Sequence, residues 1–100
     1  MSEWAEFPVE ARHFCMRMEP GNPDQWHRCE VSDIKHRDVF RMFTAQGRPV
    51  DPGTNRHAPP RYAAYAEQDA VKRTTGTPPR GWSVAITWGP LTSIRRLAEN

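Results

Sequence analysis

Two short repeats carry the side chains best suited to chemistry. His13-Phe14-Cys15 and His27-Arg28-Cys29 each set an imidazole and a thiol two positions apart. On a strand, residues two apart share a face, so each repeat offers a nitrogen and a sulfur donor side by side. If Cys15 pairs with Cys29 across a hairpin, the turn centres on Asn22, inside Pro20-Gly21-Asn22-Pro23. His13, Cys15, His27 and Cys29 would then form a Cys₂His₂ set, chemically suited to zinc. Structural zinc sites usually separate their ligands by about two to four residues on a turn, and free cysteine is among the most buried residue types. Ordinary packing without a cofactor is therefore the expectation, with zinc and a Cys15–Cys29 disulfide as its alternatives.

The other reactive residues fall into no catalytic order. There is no Gly-x-Ser-x-Gly elbow, no phosphate loop and no His-Glu-x-x-His pair. His36 and His57 stand in polar, loop-like surroundings. The expectation is a protein that is not an enzyme.

Binding is the better-supported class. Lys72 to Trp82 is a basic segment rich in glycine and proline that ends on an aromatic, and Arg56, His57 and Arg61 lie nearby in sequence. Small barrels hold single-stranded nucleic acid by stacking bases on aromatics above such basic grooves. Four tryptophans, four methionines and twelve arginines also exceed what a thin core needs, and aromatics and arginine are enriched at protein interfaces. Trp4, in an acidic segment with Glu3 and Glu6, suits a short arm that packs or docks. The partner-binding candidates are Trp4, Arg56, Arg61, Lys72, Arg73 and Arg80; a protein is the leading partner and nucleic acid the runner-up.

Charge narrows the choice. Fourteen basic residues face twelve acidic ones, a net charge of +2, which disfavours a grip made mainly of phosphate contacts. The first half of the chain is mildly acidic and the second half basic. The acidic N-terminus lacks the apolar core of a signal peptide, and the longest apolar runs are far too short to span a membrane. A cytoplasmic location with no membrane partner is expected.

These residues must be positioned by one small domain, since 100 residues suit one domain and not two. A chain of this size buries roughly 65% of its surface, which gives a thin core. Ten prolines and six glycines cut it into pieces mostly too short for long helices. Trp82, Val84, Ile86 and Trp88 alternate with Ser83, Ala85 and Thr87, the period of a core strand. Asp38–Phe43 is a second strand with apolar groups on both faces. It runs into a hairpin at Gly47, with Pro49-Val50 starting the return.

Phe14, Met16 and Met18 alternate with Cys15 and Arg17, and Trp26–Val31 answers them across a long loop. Arg61 to Arg73 suits either a helix begun by Pro59-Pro60 or a strand over Tyr62–Glu67 with a following loop, and the strand is preferred. Pro90–Leu97 has the three-residue apolar spacing of a short C-terminal helix. The expected fold is mainly β, a small antiparallel sheet or SH3-like barrel with that helix, and the alternative is α+β with a helix at 61–73. The expected core is Phe14, Met16, Val31, Val39, Phe40, Met42, Val84, Ile86 and Trp88.

One stretch resembles a known group. Asp33-Ile34-Lys35, Asp38-Val39-Phe40-Arg41-Met42-Phe43, Gly47 and Pro49-Val50 are similar to a loose set of short bacterial and phage proteins. In these, a D-L-K-x-G-D-x-F-R segment opens a strand and hairpin, and a G-x-W-x-V strand follows. Gly81-Trp82-Ser83-Val84 looks like that later strand, so the resemblance covers residues 33–88. It implies a compact β fold of mobile-element origin. By analogy with small phage proteins that occlude host defence machinery, CRISPR systems included, it implies an inhibitor of that kind. This sequence departs from the pattern at Arg37, where the group has glycine, and arginine resists the positive φ that glycine adopts freely.

Overall fold

The alternation around Trp82 becomes the longest strand of the protein. The computed structural model describes residues 3–7, 13–54, 56–72 and 81–99. Among them, in chain order, lie β1 (Glu3–Phe7), β2 (Phe14–Glu19), β3 (Asn22–Cys29), a 3₁₀ turn (Val31–Asp33) and β4 (Val39–Phe43). β5 (Pro49–Val50), β6 (Tyr62–Ala66), β7 (Val71–Lys72), β8 (Trp82–Pro90) and α1 (Leu91–Glu99) follow. The strands join antiparallel in the order β1-β8-β6-β4-β2-β3, with β5 added to β4 and β7 to β8. The sheet curls into a half-barrel, leaving β1 and β3 as its edges.

Each face of this sheet buries its own cluster. On one face Val84 and Ile86 of β8 meet Ala64 and Ala66 of β6, Phe40 and Met42 of β4, and Cys15 of β2. Ile34, just after the 3₁₀ turn, and Val50 complete that cluster. The rings of Trp82 and Trp88 pack at its margin, and Trp88 lies 5.6 Å from Tyr62. On the opposite face Met18, Val39, Ala63 and Tyr65 receive Ile94, with Leu91 and Ala98 of α1 packed alongside. Gly89 faces α1, where a β-carbon would meet Ile94 Cδ1 at an ordinary contact distance of 3.9 Å.

The preferred strand reading of residues 61–73 holds and the helical alternative falls: Tyr62–Ala66 is a strand between β4 and β8, and none of residues 61–72 is helical. Its alanines let neighbouring elements close on both faces, and that burial overrides helix propensity. Other expectations change. Trp4 belongs to β1, an edge strand that the sequence reading left out.

The hairpin loop is also shorter than expected. Cys15 does face Cys29, but a register shift between Met18 and Glu19 brings Glu19 opposite Asn22. Pro20-Gly21 alone therefore makes the turn. Gly21 has φ of 78°, the value a type II turn asks of its third residue after proline. Asn22 and Pro23 open β3 on the free edge, where a proline costs no ladder bond.

The core expectation holds for Val39, Phe40, Met42, Val84 and Ile86, which are all buried. Phe14, Met16, Val31 and Trp88 are only half-buried. On β2 it is Cys15 and Met18 that are fully enclosed.

Candidate docking face

The two His-x-Cys repeats meet only through their sulfurs. Cys15 and Cys29 are direct register partners and both are free thiols. His27 lies opposite Arg17, and its Nε2 sits 2.8 Å from Glu19 Oε2 on the exposed surface. His13 precedes β2, with its Nδ1 buried and without a hydrogen-bond partner among the described residues. Among the described residues no three His, Cys, Asp or Glu side chains gather as a metal site. Burial pushes the Cys15 thiol far up, helped by Cys29 and Glu30. Cys29 is pushed up to about 11, first by burial; Arg17 lowers it, while Asp33, Asp38 and Glu30 raise it further. At neutral pH both remain protonated, the form that neither attacks nor ligates well.

The candidate binding residues are dispersed. Trp4 stands on β1 opposite Ala85. Arg56 is exposed between β5 and β6, where its carbonyl accepts the Asp51 N–H at 2.8 Å. Arg61 is exposed at φ of 62° beside the start of α1, and its carbonyl accepts the Leu91 N–H at 2.7 Å. Lys72 is exposed on β7 opposite Trp82. Tyr62, next to Arg61, faces Pro90 at the other end of β8. Arg61 and Lys72 are thus separated by most of a nine-residue strand, roughly 26 Å. Arg73 and Arg80 lie outside the described residues.

A different set of residues is drawn together where the helix-bearing face extends past α1: Met18, Val39 and Trp26 pack with the helix cluster, and the rows beyond them are not covered by it. Strand alternation puts Phe14, Met16 and Met18 of β2 on the same side as Val39, Arg41 and Phe43 of β4, and Trp26 and Arg28 of β3. Met16 is in register with both Arg28 and Arg41, so an Arg–Met–Arg row crosses three strands. The next row pairs Phe14 with Phe43, whose rings stack 5.4 Å apart at 18°. Both arginines lean from their row onto these rings. The Arg28 guanidinium carbon is 4.1 Å from the Phe14 centroid, and that of Arg41 is 5.2 Å from the Phe43 centroid. The strand order β4-β2-β3 sets Phe43 and Arg28 on opposite flanks of Phe14.

This stack is open to water. Phe14, Met16, Arg41 and Phe43 are half-buried and Arg28 is exposed. Three other arginines among the described residues are tied to acceptors: Arg17 to Asp38 at 3.5 Å and to the Asp33 carbonyl at 3.2 Å, Arg37 to the Ala98 carbonyl at 2.7 Å, and Arg95 to Glu99 at 3.7 Å. What sets Arg28 and Arg41 apart from the remaining described arginines is that each lies over a ring. Among the described residues neither Arg28 nor Arg41 has a carboxylate partner, although Glu30, one residue past β3, continues the register beside Phe14. A guanidinium lying over a ring is attracted by the ring quadrupole and keeps its in-plane N–H groups free to donate.

No protein-family model, curated protein or solved structure matches the chain. Fold and face together define its class: a small curled-sheet domain with an arginine-capped aromatic surface. No helix among the described residues is long and apolar enough to cross a membrane.

Proposed function

We propose that the protein is a non-enzymatic protein-binding module that docks through the bare part of this face, on β3, β2 and β4. The observation that carries this reading is the Arg28–Phe14–Phe43–Arg41 stack, which combines the residue types that dominate interface energetics. Met16 between the two arginines supplies an adaptable apolar centre. The resemblance over residues 33–88 supports a narrower reading: a small phage-type protein that works in the cytoplasm by occluding a host protein, with defence machinery as the target class. Its support is that segment alone.

The test is capture of partners from a bacterial lysate by the full chain, beside two variants shown to be folded by circular dichroism. Met16→Glu puts a carboxylate in the centre of the face, and Leu97→Glu changes an exposed position on α1. A stoichiometric partner should be held by the wild type and by Leu97→Glu and lost by Met16→Glu. Capture indifferent to Met16→Glu, or no stoichiometric partner, would overturn the reading.

A further inference from the structure

We infer that the bare part of the face is a receptor for carboxylates, so that its partner is an acidic protein surface held by the guanidinium groups of Arg28 and Arg41. This deepens the docking reading above and rests on it. Both cations sit in one patch and neither is ion-paired among the described residues, although the chain as a whole has nearly as many acids as bases. Their positions are set by the sheet: each is a register neighbour of Met16, which puts their α-carbons roughly 10 Å apart across two strand spacings. Stacking on Phe14 and Phe43 restrains both side chains before any partner arrives, lowering the ordering cost of binding. The edges of the planar forks remain available for two-pronged contact with a carboxylate.

The same stack disfavours a single-stranded nucleic acid. Such ligands are held by bases lying on open aromatic faces. Here Phe14 has Phe43 on one flank and Arg28 on the other, so a base would have to displace a ring or a guanidinium. A carboxylate needs no displacement.

The experiment titrates the full chain with a labelled oligoglutamate peptide and, separately, with an oligothymidylate of equal charge, following affinity by fluorescence anisotropy and the footprint by amide chemical shifts. The peptide should bind the more tightly of the two and shift Met16, Arg28 and Arg41. Arg28→Gln with Arg41→Gln should weaken it by about tenfold or more. Arg56→Gln, which removes the same kind of charge from a distant loop, should change affinity less than about twofold. Equal losses from face and loop variants, no measurable peptide binding, or tighter binding of the oligothymidylate would each overturn the inference. The docking reading is judged separately by the Met16→Glu capture, so a partner lost there while oligoglutamate fails to bind leaves docking intact and removes only its acidic character.

Discussion

Replacing Arg37 by glycine and by alanine isolates a backbone strain in the turn before β4. Arg37 has φ of 80°, the left-handed region that costs a residue with a β-carbon about 1–2 kcal/mol. The conformation is held by its surroundings. The Arg37 N–H donates to the Ala66 carbonyl at 2.9 Å, Asp38 N–H to the Lys35 carbonyl at 3.0 Å, and Lys35 N–H to Asp38 Oδ2 at 2.8 Å. The side chain adds a bond from Nη2 to the Ala98 carbonyl at 2.7 Å, tying the turn to the end of α1. Both variants lose every contact made beyond the β-carbon, so their difference reports the backbone alone. Glycine relieves the strain but gains roughly 0.4–1 kcal/mol of extra freedom in the unfolded chain. The glycine variant should therefore be the more stable by about 0.5–1 kcal/mol, or roughly 3–6 °C in Tm for a domain of this size. Urea unfolding of the pair measures it. An alanine variant as stable as the glycine variant would show that residue 37 is not left-handed in solution.

Two other outcomes follow from burial. Phe40 is fully enclosed, so Phe40→Ala should cost about 3–5 kcal/mol, whereas Phe14→Ala, on the half-open face, should cost about 1–2 kcal/mol in the same urea assay; equal costs would place Phe14 in the core. The proton on Cys29 also predicts a pH dependence. An unfolded thiol ionises near 9.0 and the folded one near about 11, so the unfolded state sheds its proton first and stability falls as pH rises between those values. Below pH 9 the term is constant, and Cys29→Ser should lessen the decline without abolishing it, because the Cys15 thiol is pushed up further still; an unchanged slope in that variant would mean that the Cys29 thiol is not held protonated.

What was legible in the sequence was whatever had one apolar face. β8 alternates large and small residues, and its strand, its buried Val84 and Ile86 and the following helix could all be read, while its two indole rings lie at the margin of the core. The Gly47 hairpin was legible from its turn chemistry; the Cys15–Cys29 pairing was one of the readings the repeats allowed, but the turn between them is Pro20-Gly21 and not one centred on Asn22. Strands with apolar residues on both faces were harder. On β2, Phe14, Cys15, Met16 and Met18 leave the core side undecided by hydrophobicity, and tertiary packing chose Cys15. β1 carries acids between Trp4 and Phe7, and β3 begins Asn-Pro-Asp-Gln, so neither announces a strand; edge position is what permits both sequences.

The arginine–phenylalanine face was not legible in the sequence for a related reason. Arg28, Phe14, Phe43 and Arg41 are brought together only by the β3-β2-β4 order. The available signal was that β2 and β4 each carry apolar residues on both faces, which means that a second surface must be covered.

Among the described residues, that surface is larger than α1 covers. The nine residues of α1 make a rod only about 14 Å long, while the six-strand path is roughly 24 Å wide. The helix packs on β6 and β8 and reaches β4, so the outer side of β2 and β3 has to be finished by side chains. Arginine stems over phenylalanine rings do this, but covering a ring needs only methylene groups, which lysine also supplies. Holding a carboxylate at two points needs the planar fork. Arg28→Lys with Arg41→Lys therefore separates the two roles of the stack. Stability should change little, by under about 0.5 kcal/mol, because charge and stem are kept, while affinity for the acidic peptide falls. Lysines that bind the peptide as tightly as arginines would reduce the stack to a cover.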